Sequence, residues 1–203
     1  MATNRDQTRR VVEAAVRLHG RAVAQFDEGR YDEAKRLCQQ ALGKLETALS
    51  ANHPDVAQVL LTLAATSRMQ ACYGEAERLY RRALRITEQT YGPDSVEASA
   101  VLNDLAVVYK YTGRFTEGGR LYQRALAITE KALGPEHPET ATIYHNLGGL
   151  EHAAGNFARA EPFARRAVQI RRQALGAAHP HVAYDLADLA AILDGRRKFE
   201  EAA

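Results

Sequence analysis

The chain has 203 residues, 46% of them hydrophobic but only 7% aromatic, no tryptophan, and a formal net charge of +2. That length admits one or two domains, the composition suits helices packed through alanine and leucine, and so small a charge carries no electrostatic footprint of nucleic acid. Residues 1–10 are polar and charged, so a signal peptide is not expected, and no apolar run nears the roughly 20 residues of a membrane span.

The predicted elements are all helices. After a frayed start to about residue 7, Asp6 or Thr8 caps a first helix that runs to about residue 28, and a second covers about 32–50. Pairs follow at about 54–70 and 74–90, 94–111 and 116–132, and 138–153 and 158–174; a last helix covers 180–194, with another starting at 198. The first helix of each pair is termed A and the second B.

The pairs repeat every 42 residues without a slip. The aromatic at Phe115 returns as Tyr31, Tyr73, Phe157 and Phe199, and Ala125 returns as Ala41, Ala83 and Ala167. Such a fixed period marks a tandem array of helix hairpins. In the A helices Leu102, Leu105, Ala106 and Tyr109 share one face, as do Leu60, Leu63 and Ala64. Gly29, Gly113 and Gly155 are expected to end A helices, and Gly92, Gly134 and Gly176 to end B helices. Pro54, Pro138 and Pro180 fall in the first turn of the next A helix, with Asn52 or His53 and Glu136 or His137 as capping candidates.

Some units depart from the pattern. Arg21 replaces the leucine of later A helices, as in a cap that faces water, although Val16, Val23 and Phe26 leave another register open. Gly118-Gly119 and Gly148-Gly149 are expected to weaken their helices, and Pro162 to delay or bend the fourth B helix. The fifth pair is read as incomplete, which would leave Leu186, Leu189 and Leu193 without a full partner. Cys38 and Cys72 show no metal-type spacing and are read as reduced thiols of an intracellular, cytoplasmic protein.

The run Asn103-Asp104-Leu105-Ala106-Val107-Val108-Tyr109, then Gly113-Arg114-Phe115, Arg124-Ala125-Leu126-Ala127-Ile128, Leu133-Gly134 and His137-Pro138, resembles the tetratricopeptide repeat. The resemblance is to the 42-residue form found in kinesin light chains and their bacterial relatives. It implies an all-α, right-handed solenoid of antiparallel helix pairs spanning 1–203. The repeats fall at about 8–50, 52–92, 94–134, 136–176 and 178–203. It also implies a scaffold that binds an extended peptide or partner protein on a concave face lined by A helices.

Family geometry puts Arg68, Lys110 and His152 in one row of that face, Asn103 and His145 in a second, Tyr111 in a third, and Gln58 and Thr142 in a fourth. Arg68 and Lys110 suit acidic side chains or a C-terminal carboxylate; Asn103, Gln58 and Thr142 suit a peptide backbone. If His152 takes part, binding strengthens as pH falls towards its ordinary value of roughly 6.5. The bland alternative is a solvated polar face. The chaperone-tail clamp is not expected, because His19, Val23 and Thr62 occupy its places.

Other chemistries fare worse. His145 and His152 are about 10.5 Å apart along a helix axis, too far to share a metal, and His137 and His179 recur as parts of His-Pro connections. No cofactor or catalytic constellation is expected. The arginines of the B helices are interspersed with Glu75, Glu77, Glu88, Glu117 and Glu130, which argues for surface pairing over nucleic acid. The remaining alternatives are a sensor or scaffold segment of a larger signalling protein with an intramolecular partner, self-association through the fifth pair and, ranked below the first, a nucleic-acid-binding solenoid.

Overall fold

The computed structural model describes residues 2–202, with side chains described for 5–198. Every element among them is a helix: α1 (Ala2–Asp27), α2 (Tyr31–Ala48), α3 (Pro54–Met69), α4 (Tyr73–Tyr91), α5 (Val96–Tyr111), α6 (Phe115–Leu133), α7 (Pro138–Ala153), α8 (Phe157–Leu175) and α9 (Pro180–Ala202). The chain divides into two compact units, Met1–Pro93 and Asp94–Ala203. In the first, α1 packs on α2, α2 on α3 and α3 on α4, with α1 also touching α3. In the second, α5 to α9 pack successively, and α7 also meets α5 and α9. This is an all-α helical repeat fold of the solenoid class.

Local chemistry sets the helix ends. His53 precedes α3 and His137 precedes α7, and each accepts through Nδ1, from the amides of Asp55 and Glu139, at 3.2 Å. The proline between the cap and the donating amide has no N–H to satisfy. Ser95 does the same for α5 through its hydroxyl, accepting from the Ala98 amide at 3.1 Å. Of the two capping candidates at each connection, histidine is the one used. The A helices close alike: the Arg114 amide reaches the Tyr109 carbonyl at 2.9 Å, as Cys72 reaches Ser67 and Asn156 reaches Glu151 at 2.8 Å. That closure needs a left-handed residue, supplied by Gly29, Gly113 and Gly155, but by Ala71 (φ 57°) in the second pair.

The expected core faces are buried: Leu60, Leu63 and Ala64 in one unit, Leu102, Leu105 and Ala106 in the other. Tyr80 and Tyr122 are fully buried on B helices, as is Cys38 at the matching place. In α1, Ala15 and Ala22 face inward while Val16 and Val23 are exposed, so its register follows the other A helices.

Three sequence expectations need correction, and the glycine pairs gain a packing role beside their cost in helix propensity. The first helix has no cap at Asp6 or Thr8; it already runs from Ala2. The glycine pair on α6 does not interrupt it. A β-carbon at Gly118 would lie 3.2 Å from Leu150 Cδ1 of α7 and 3.3 Å from Tyr109 Cβ of α5, a tight fit on both sides of α6. Gly148 likewise lies where a β-carbon would sit 3.3 Å from the Ala164 amide nitrogen on α8. Helix α8 starts at Phe157 and carries Pro162 inside it, so its start is not delayed. Finally, α9 does not turn near 195. Arg197 stands where Gly113 and Gly155 turn the chain. Asp194 pairs with Lys198 one turn on at 2.6 Å, and Arg196 ties the continuing helix to Glu161 of α8 at 2.7 Å. The outer face of α9 exposes Tyr184, Leu186 and Leu193, while Leu189 packs on Ala160, Ala164 and Ile192. Phe199 lies outside the described side chains.

Candidate functional site

In the first unit, the A-helix face holds Gln58 and Arg68. Gln58 is exposed and borders a groove with Val16, His19 and Asp55. His19 donates to or accepts from the Thr62 hydroxyl at 2.8 Å, and its burial lowers its pKa below the ordinary histidine value. Arg68 is half-buried, and its Nε is buried with no hydrogen-bond partner. A guanidinium N–H without an acceptor is unusual, because buried donors are nearly always satisfied.

In the second unit, a groove of 560 Å³ runs between α5 and α7 and is lined by both Asn103 of α5 and Thr142 of α7. Asn103 is engaged: it accepts from Asn146 Nδ2 at 2.8 Å and donates to Asp104 at 3.4 Å. Its lining carries Glu97, Asp104 and Glu139, a sign opposite to the cations expected along this face. Lys110 sits two turns further along α5, beyond that lining. Its ammonium lies 5.3 Å from the ring centre of Tyr111, which is itself 55% exposed. A β-carbon at Gly149 would stand 3.6 Å from Lys110 Nζ, an ordinary contact. No ion pair to Lys110 is formed among the described residues. His152 packs its ring on Phe157, centroids 5.5 Å apart, at the corner where α7 meets α8.

His145 and Thr142 are drawn into an internal network. Arg171 of α8 donates to Asp185 of α9 at 2.6 Å and to the Thr142 hydroxyl at 2.9 Å. His145 Nδ1 stands 2.8 Å from the same Asp185 oxygen, and Nε2 is 3.4 Å from Asp188. Arg171 and Asp185 are both buried, and Asp185 Oδ2 has no partner. Sequence reasoning missed this pair, although its signal was available. Asp185 occupies the place of Val59, Val101 and Ile143, and Arg171 that of Thr87 and Thr129. Two charges entering one buried seam together are a compensated substitution.

Several B-helix arginines behave as surface pairs. Arg82 bonds Glu46 at 2.6 Å and the Ala51 carbonyl at 3.0 Å. Arg166 bonds Glu136 at 2.6 Å, which raises its pKa further. Both thus fasten the connection that precedes their own helix pair. Arg81 and Arg165 pair with Glu77 and Glu161 one turn back, at 2.9 and 2.8 Å. Among the described residues no helix is long and apolar enough to cross a membrane.

Comparison with known proteins agrees with the helical repeat fold. The family described as tetratricopeptide repeat matches residues 13–89, 55–117 and 97–173. Among solved structures, BtubC (BKLC) from P. vanneervenii is similar at 24% identity and a TM-score of 0.75, over 97% of this chain and 84% of that one. A Podosopora anserina chain described as a kinesin light chain with nearly identical TPR-like repeats gives 24% identity and 0.75, over 91% of this chain and 88% of that one. A Rap protein complexed with Competence and Sporulation Factor gives 16% identity and 0.75, over 91% of this chain and 50% of that one. At these identities the likeness is one of fold. No curated protein matches the sequence.

Proposed function

The chain belongs to the tetratricopeptide repeat family, and from that premise we propose that it is a protein-interaction module, without catalysis or cofactor of its own, that takes an extended, partly acidic segment of a protein partner on its A-helix face. The reading treats residues 1–203 as a single array, as the unbroken register suggests.

One observation carries it. Arg68 and Lys110 occupy the same place in successive repeats, and neither has an acidic partner among the described residues, while the Nε of Arg68 is buried without an acceptor. Each of the two cations suits an acidic side chain of a partner segment. Tyr111, exposed beside Lys110, offers an apolar face to the same segment. Asn103 adds an amide already oriented by Asn146. His145 and Thr142 contribute less than their register suggests, because Arg171 and Asp185 hold them.

The test is fluorescence anisotropy with pools of acidic, neutral and basic extended peptides, and single-stranded RNA as a control. Each is run against the native chain and against an Arg68→Glu/Lys110→Glu variant of unchanged helicity. Salt-sensitive binding of the acidic pool that the variant loses is the expected result. Preference for RNA, or acidic binding that the variant leaves intact, overturns the assignment.

A further inference from the structure

A second surface lies on the B-helix side of the Asp94–Ala203 unit, where α6, α7 and α8 enclose a pocket of 270 Å³. Its apolar lining comes from Phe115, Leu147, Leu150 and Phe163, and Arg120 and Arg159 stand in its wall.

The pocket exists because a bridge is missing. In the Met1–Pro93 unit, Lys35 of α2 reaches Glu75 of α4 at 2.6 Å, a link between successive B helices that also holds the Glu75 carboxyl below its ordinary pKa. The register places Gly119 where Lys35 stands and Arg159 where Glu75 stands. Glu161, at the same place in α8, bonds Arg165 and Arg196 at 2.8 and 2.7 Å. In α6 there is no side chain to bridge, and Arg159 turns aside to Glu151 at 3.0 Å.

Packing does not require this glycine. Its neighbour Gly118 is pressed by Leu150 and Tyr109, but a β-carbon at Gly119 would meet only Leu150 Cδ2, at an ordinary 3.6 Å. Its φ is not in the left-handed range. A mid-helix glycine weakens the helix relative to alanine, so α6 bears a cost that its own packing does not demand.

The charges around the opening do not balance. Glu117 pairs with Arg114 at 3.1 Å, and Glu151 is taken by Arg159 and by Asn156 at 2.9 Å. Arg120 has no ion pair among the described residues, so the rim keeps one positive charge. Arg159 is 68% exposed and free to swing from Glu151 to an incoming acid.

We propose that this pocket is a docking site for a protein partner that inserts one large apolar side chain with an adjacent Asp or Glu, its carboxylate filling the place of the missing bridge beside Arg120 and Arg159. The volume fits a side chain rather than a whole small-molecule ligand, whose pockets begin at about 300 Å³. The site is separate from the A-helix face and does not depend on Arg68 or Lys110.

The test uses the full chain, ¹⁵N-labelled, titrated with acetyl-Phe-Glu-amide, acetyl-Phe-Gln-amide and acetyl-Ala-Glu-amide. Shifts are read at the amides of 119, 120, 151 and 159. Phe-Glu is expected to bind at least about fivefold tighter than either control, since each lacks one of the two contacts. Gly119→Glu, which restores the bridge to Arg159, is expected to remove binding while helicity and melting temperature hold or rise. Arg120→Gln, which leaves α6 and its packing alone, is expected to bring Phe-Glu down to the level of Phe-Gln. Lys110→Glu is expected to change nothing here. Equal binding of the three peptides, or Phe-Glu binding that survives both Gly119→Glu and Arg120→Gln, overturns the proposal.

Discussion

Ala71 offers a clean measure of what the inter-helix turns cost. It closes α3 with φ 57°, at the place held by glycine in the neighbouring pairs. A left-handed conformation costs a residue with a β-carbon about 1–2 kcal/mol. Replacing it with glycine removes that strain but costs roughly 0.5–1 kcal/mol through the larger entropy of the unfolded chain. Ala71 is exposed, so little packing is lost. Ala71→Gly should therefore stabilise the Met1–Pro93 unit by roughly 0.5–1 kcal/mol. With a urea m-value of about 2 kcal/mol/M, the midpoint moves up by roughly 0.25–0.5 M. Gly113→Ala, the reverse change at the matching turn, should cost about 1 kcal/mol or more, and because nothing lies within 4 Å of a β-carbon there, that cost is conformational. Urea titrations followed by circular dichroism measure both. A neutral or destabilising Ala71→Gly, with m unchanged, would refute the reasoning.

Three other outcomes follow from the described contacts. Burial lowers the His19 pKa, so the unfolded chain binds more protons just below its ordinary value of about 6.5. Stability from His19 is complete above that value and is lost as pH falls towards the folded pKa; urea midpoints across this range should slope in the native chain and flatten in His19→Gln. Burial pushes the Cys38 thiol up to about 12, whereas Cys72 is exposed; thiol titration should show one fast group, with the second appearing only on unfolding. Asp185→Ala strands Arg171 in a buried seam and should cost about 3–5 kcal/mol. The double change Arg171→Thr/Asp185→Val, which installs the residue types of earlier repeats, should recover most of that loss in the same denaturation assay.

The fold was legible because its signals are periodic. Alanine and leucine at one spacing, glycine and proline at another, and an unbroken register leave one arrangement of helices. The failures are local and have local causes. At Gly118 and Gly148 the sequence shows the cost in helix propensity but not the close approach between helices, because only the first is visible in a sequence. The last turn was placed by analogy with Gly155, but Arg197 stands there and pairs along the helix continue past it. The binding face was legible as a set of positions. Its electrostatics were not, because reading one row gave Arg68, Lys110 and His152 while the carboxylates of Glu97, Asp104 and Glu139 came from other rows. His145 and Thr142 show the same limit: whether a polar side chain is available depends on Arg171 and Asp185, far from it in sequence.

The order of contacts has a kinetic consequence. Within each unit a helix touches the next one along the chain or the one after that, and among the described residues the packing reaches no further. Loop closure therefore costs little at every step, and topologies of this kind fold fast. Each A helix that begins at His53, Ser95 or His137 also carries its own start signal in the connection before it. A nascent chain can complete one hairpin, expose a ready edge, and have that edge covered some forty residues later. Folding then keeps pace with synthesis, and a lesion in one hairpin delays its neighbours rather than the whole molecule.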